Sequence, residues 1–257
     1  MRLRLRQFRP RTGPHTYRVV QPRHPLRHTS LRAPDPIGLL LGDHDGLSRL
    51  AGLFSFAACS RHTVVHVPLR DGVPPDEGVG ELVDLVLVHH SLGLRAGQWP
   101  ELRRRLRQGT PLTVRTDEAR TARDAAAWRA RQERTGVQDE LRHATHARTL
   151  FFFGDRDLFA DTAVRLARAA GHGPHQKGVS KGYTAYMGSI FPLVDQPGGG
   201  HPIEVLICFK AYPPYAHFKR PGGPATRPPP PTASPAPPPA PPKPAPTGVP
   251  VPPTPRP

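Results

Sequence analysis

The sequence predicts a three-layer α/β sandwich. It should rest on a mainly parallel, doubly wound sheet closed by a C-terminal antiparallel hairpin, with disordered arms at both ends. Three observations carry that expectation. Leu150–Phe153 is an unbroken apolar run ended by Gly154, the pattern of a strand covered on both faces. The residues after it, Leu158/Phe159, Thr162/Ala163, Leu166/Ala167 and Ala170, recur at helical spacing up to a stop at Gly171. Similar strand-then-helix alternation upstream implies crossover units and hence parallel pairing.

Composition divides the 257 residues into three parts. Residues 1–34 hold nine arginines, five prolines and no acid, and read as a basic, disordered arm. Residues 221–257 hold 19 of the 36 prolines and almost no large apolar side chain, so they read as a polyproline-II-prone spacer tail. Residues 35–220 remain as one domain, long enough for a hydrophobic core. Of the net charge of +16, this middle part accounts for only +4. Nucleic acid is therefore expected only through the N-terminal arm, weakly and in a salt-sensitive way. The skew of 31 arginines to five lysines, beside abundant Pro, Gly and Ala, is also what G+C-rich coding DNA produces.

Cys59 and Cys208 sit in apolar stretches and read as buried thiols, which fits a reducing cytoplasm. No stretch reaches the ~20 apolar residues of a membrane span, so no membrane partner is expected.

In order, Ile37–Gly42 reads as the first strand, and Leu47, Leu50, Ala51, Phe54 and Ala58 as the stripe of its helix. Thr63–Leu69 is rich in β-branched residues and reads as the second strand, ended by Pro68. Leu82–His89 is the third strand. Pro100 suits the first turn of a short helix with Trp99, Leu102 and Leu106 inward and a basic side at Arg103, Arg104, Arg105 and Arg107. Pro111–Arg115 is a fourth strand, and Thr116–Arg148 is helical in propensity, divided at Gly136. Tyr183–Leu193 and Ile203–Phe209 read as the closing pair, joined through Gly198-Gly199-Gly200.

The candidate sites come from an internal echo. Leu39–Leu47 and Phe151–Phe159 share strand, Gly-Asp-x-Asp and helix. If those strands were neighbours, Asp43, Asp45, Asp155 and Asp157 would gather beyond their carboxyl ends and suit Mg²⁺ beside a phosphate substrate. The competing explanation is that an Asp after a strand caps the next helix. The pattern at 150–170 resembles the second metal-binding motif of Toprim domains, a hydrophobic strand ending in Asp-x-Asp. Those domains also carry a glutamate after an earlier strand, where this sequence has Asp43.

Gln176–Gly182 offers Lys177, Ser180 and Lys181 to an anion but lacks Walker A spacing. His89-His90-Ser91 resembles the strand-terminal His-His-Ser/Thr of zinc-dependent peptidoglycan amidases, without their further zinc ligands. His89 joins the two lysines and the serine as a candidate ligand residue. His143 and His146 read as a solvated pair on one helical face.

Two functions follow from these residues. One is a non-catalytic module that binds a protein partner or a small anionic ligand. The other is a Mg²⁺-dependent phosphoesterase or nuclease-like enzyme using the aspartate cluster.

Overall fold

The computed structural model describes residues 1–34, 36–71, 80–136, 141–195 and 203–212. The proline-rich stretch 221–257 lies outside the described residues. The strands are β1 (Arg2–Phe8), β2 (Arg11–Thr12), β3 (His15–Thr16), β4 (Arg18–Pro22), β5 (Ser30–Arg32), β6 (Ile37–Gly42), β7 (Thr63–Val67), β8 (Asp84–His89), β9 (Thr110–Arg115), β10 (Leu141–Thr145), β11 (Thr149–Gly154), β12 (Ala185–Asp195) and β13 (Ile203–Phe209). The helices are α1 (His44–Cys59), α2 (Trp99–Arg104), α3 (Glu118–Thr135) and α4 (Arg156–His172).

The fold is mixed α/β. Eleven strands form one sheet in the order β5-β6-β13-β12-β10-β11-β8-β7-β4-β1-β9, while β2 and β3 pair separately. The pairing is not mainly parallel. Four ladders of the large sheet are parallel and six are antiparallel. One reason is that Leu141–Thr145, which the sequence suggested as helix, is strand β10 and forms a hairpin with β11. A second is that the N-terminal residues join the sheet.

That second point corrects the expectation of a disordered arm at 1–34. In β1 the leucines at 3 and 5 are buried while Arg2, Arg4 and Arg6 are exposed, so the run Arg-Leu-Arg-Leu-Arg is a period-two amphipathic strand. Strand β1 pairs with β4 on one side and β9 on the other. Its leucines enter the main core with Leu53 and Phe54 of α1. At the far edge the sheet curls back. Val83 N–H donates to the Leu31 carbonyl, and Ala33 N–H to the Glu81 carbonyl, both at 2.9 Å, so β5 returns to the segment leading into β8.

Two cores result. The larger one joins α1, α3 and α4 to one face of the strands, with Phe54, Phe152, Phe159 and Phe209 fully buried. The smaller one covers the opposite face of the central strands, where Trp99 and Leu102 of α2 meet Val64, Val86, Phe151 and Phe153. Fully burying each such side chain contributes about 1.5–3 kcal/mol relative to exposure. Strand β11 serves both cores, which is why Leu150–Phe153 is apolar throughout.

Local chemistry sets the helix starts. Asp43, Asp117 and Asp155 each occupy an N-cap, accepting from the backbone N–H of Gly46 (2.8 Å), Arg120 (2.9 Å) and Leu158 (2.9 Å). Ion pairs fix α3 on α4: Asp161 takes Arg129 Nε at 2.5 Å and Arg165 Nε at 2.7 Å, and Arg131 pairs with Asp157. Among the described residues no helix is long and apolar enough to cross a membrane.

Candidate functional site

Strands β8 and β11 are parallel neighbours in a register that sets His89 beside Gly154 at their carboxyl ends. Five other segments end or begin around that point. Helix α1 finishes at Cys59, the Ser60–His62 turn leads into β7, β4 opens with Arg18, α4 opens with Arg156, and the first turn of α3 carries Arg120. Together they enclose an open cleft of about 620 Å³ whose polar lining is dominated by Arg18, Arg61, Arg120, Arg156, His62 and His89. A cleft of that size at the carboxyl ends of parallel strands is where α/β folds hold small ligands.

Its charges are unevenly balanced. Asp124 of α3 serves two of the arginines: it pairs with Arg156 and lies 3.8 Å from Arg120 Nε. That pairing raises the Arg156 pKa further above the working range. Arg18 Nε donates to Gln7 Oε1 at 2.9 Å, and Arg61 Nε donates to His62 Nε2 at 3.0 Å. Among the described residues, neither Arg18 nor Arg61 is paired with a carboxylate. His89 Nδ1 lies 2.8 Å from Ser91 Oγ and accepts from the Ser91 N–H at 3.3 Å. Burial pulls the His89 pKa down, the neighbouring His90, Arg61 and His62 act in the same direction, and Asp155 opposes them. The ring is neutral at pH 7 and turns a donor nitrogen, Nε2, away from Ser91. Guanidinium groups and imidazole N–H converging on one cleft are equipped to hold an anion.

The aspartates of the expected metal cluster do not meet. Strands β13, β12 and β10 lie between β6 and β11, a separation along the sheet of roughly 19 Å at ~4.8 Å per strand. Asp43 and Asp155 are spent as helix caps, Asp45 is 3.6 Å from Arg49, and Asp157 is paired with Arg131. Burial raises the Asp43 pKa against the pull of its Gly46 hydrogen bond. Among the described residues no three His, Cys, Asp or Glu side chains are grouped to hold a metal.

Lys177, Ser180 and Lys181 are also separated from His89. They lie exposed beyond the far end of α4, whose 17 residues span about 25 Å. There the amide of Lys181 is taken by the Gly178 carbonyl at 2.8 Å. His143 sits buried in β10, not on a helix, so it forms no helical pair with His146. Of the residues expected to bind a ligand, only His89 lines the cleft. The sequence reading missed Arg18, Arg61, His62, Arg120 and Arg156. The nearest available signal was the polar Ser60-Arg61-His62 turn between the apolar end of α1 and the buried strand β7.

A second polar cluster lies inside the smaller core. His66 is 3 % exposed and Asp84 2 %. Asp84 Oδ1 accepts from the amides of Leu69 (3.1 Å) and Arg70 (3.3 Å), and Oδ2 lies 3.5 Å from Arg70 Nε and 3.6 Å from both Arg103 Nη1 and His66 Nε2. Burial pushes the Asp84 carboxyl up, but His66, the Arg70 amide and the Arg70 charge outweigh it and hold the group below the usual carboxylate range. His66 Nδ1 is 2.5 Å from Gln21 Nε2, and its ring meets Trp99 edge-on with centroids 4.8 Å apart. This cluster ties α2 to β4, β7 and β8.

Comparison with protein-family models, with curated proteins and with solved structures returns no match for the chain. The functional reading therefore rests on the geometry of the cleft.

Proposed function

We propose that the chain is a binding module for a small anionic ligand, held in the cleft at the carboxyl ends of β8 and β11. One observation carries the reading: four guanidinium groups line the cleft, and two of them, Arg18 and Arg61, face no carboxylate among the described residues. A phosphate or carboxylate entering the cleft would accept from Arg61 and from His89 Nε2–H, while Arg156 stays oriented by Asp124. Cys59 is an exposed free thiol, not the buried one its apolar stretch suggested, and a free thiol fits a reducing cytoplasm.

Calorimetric titration of the whole chain with phosphate, pyrophosphate and sulfate tests the proposal. A charge-assisted hydrogen bond contributes about 1.5–3 kcal/mol, so Arg61→Ala should weaken anion binding by roughly 10- to 150-fold. Because Arg61 is exposed and its side chain donates to the adjacent His62, the ligand-free melting temperature should stay within 1–2 °C of the parent, as expected for a surface change within about 0.5 kcal/mol. No heat with any of the three anions, or equal affinity in Arg61→Ala, would overturn the proposal.

A further inference from the structure

The alternation that builds β1 leaves its arginines on the face opposite the one that Leu3 and Leu5 bury against α1. Side chains on one face of a strand recur every ~6.8 Å, so Arg2, Arg4 and Arg6 form an evenly spaced row. The flanking strands extend it. The β1–β9 register sets Arg2 directly opposite Arg115. On the other side, Arg23 N–H donates to the Arg4 carbonyl at 2.9 Å, which continues the β1–β4 register and sets Arg23 opposite Arg4. All five arginines are exposed.

Like charges placed directly across a ladder destabilise it. Among the described residues none of the five is paired with a carboxylate. Acids near that end of the sheet are already engaged: Asp117 caps α3, Glu118 pairs with the amino terminus, and Asp45, which lines one groove with Arg2 and Arg4, lies 3.6 Å from Arg49. A fold that aligns unpaired arginines at regular intervals over three adjacent strands is matched to a partner with regularly repeated negative charge.

We propose that this face is a docking surface for the phosphate backbone of a duplex nucleic acid. Three polyanions would satisfy the charge alone, and the surroundings of the row separate them. Single strands are held by stacking on aromatic side chains, and a membrane surface by insertion of aromatic or aliphatic ones. Among the described residues the exposed large apolar side chains are Met1, Ile37, Tyr183, Tyr186 and Tyr212, and only Met1 lies beside the row. A duplex asks for neither, since backbone contacts alone position it. The row is separate from the anion cleft, which opens at the carboxyl ends of β8 and β11.

The test is fluorescence anisotropy of the full chain with a labelled random-sequence 20-base-pair duplex, as DNA and as RNA, between 50 and 200 mM salt. With about four phosphates engaged, affinity should fall roughly 10²-fold over that range. The double variant Arg4→Gln/Arg6→Gln should keep the parent's melting temperature, bind at least ten-fold more weakly, and lose about two from the slope of log K against log salt. Arg61→Ala should bind the duplex like the parent. The proposal fails if no duplex binds at 50 mM salt, or if the double variant binds as the parent does. It also fails if Arg61→Ala abolishes binding, which would place the duplex in the cleft. Equal or tighter binding of phosphatidylserine vesicles, a single strand or polyglutamate would likewise overturn it.

Discussion

Titration of His66 should make the fold acid-sensitive above the range where carboxylates protonate. The ring is almost fully buried between Gln21, Trp99 and Asp84. Gln21 Nε2–H donates to Nδ1, which makes Nδ1 the acceptor of a neutral ring. Burial holds the His66 pKa below its ordinary value; Asp84 opposes this, and Arg103 and Arg70 reinforce it. The unfolded chain takes up a proton as pH falls through ~6.5, and the folded chain does not. Stability is therefore lost as pH falls below ~6.5, by up to about 1.4 kcal/mol per pH unit, until the folded ring itself titrates. From pH 6.5 to 5.0 that is up to about 2 kcal/mol. Asp84 has the opposite placement: its depressed folded pKa stabilises fully above about pH 4 and is lost only below that, outside this window. Urea unfolding at half-unit steps from pH 7.5 to 5.0 measures the slope. His89 is shifted in the same direction, so His89→Asn is measured beside His66→Gln and the two contributions separated. If His66→Gln keeps the parent's full pH dependence between 6.5 and 5.0, the reasoning from burial is wrong.

Two further outcomes test the packing. Phe152 is 1 % exposed, on the strand that serves both cores and beside Phe54 at 6.3 Å between centroids, so Phe152→Ala should cost about 3–5 kcal/mol in urea unfolding. In the two-residue turn between β10 and β11, Ala147 and Arg148 have φ of +49° and +58°. A non-glycine residue in this left-handed region costs roughly 1–2 kcal/mol, so Ala147→Gly should leave the unfolding midpoint unchanged or raise it, whereas Ala147→Val should lower it.

Much of the architecture was legible because it follows from burial. The runs at 39–41, 85–88 and 150–153 are strands, and the aspartates after two of them are caps, the simpler of the two explanations that the sequence allowed. What escaped was structure whose signal is masked by charge or by uncommon turn chemistry. Strand β1 alternates from Arg2 to Arg6, but its outward residues there are arginines, and acid-free composition suggested an arm. The hairpin of β10 and β11 turns through Ala-Arg, where Asn-Gly would have announced it. Without that hairpin, Leu141–Thr145 reads as helix and the sheet as mainly parallel.

The candidate site was less legible than the fold because it is assembled from pairings distant in sequence. Arg18 reaches the cleft only because β4 pairs with β7 in parallel, with Arg18 opposite Thr63. Arg120 and Arg156 arrive on helices that Asp124 clasps together. His89 could be anticipated, since it ends an apolar strand beside a turn. The same reasoning changes what the net charge means. With residues 1–34 counted as an arm, only +4 of the net charge falls on the predicted domain, and nucleic-acid contact is assigned to the arm alone. Folding places nine arginines on and around the sheet, and their positions then separate two kinds of cation. In the cleft, Asp124 orients two arginines at short range, where salt screens little; on the β1 face the arginines stand in solvent, where a Debye length of ~10 Å at 0.1 M governs their reach. A composition cannot distinguish these, because the difference lies in which carboxylate the fold carries to which guanidinium.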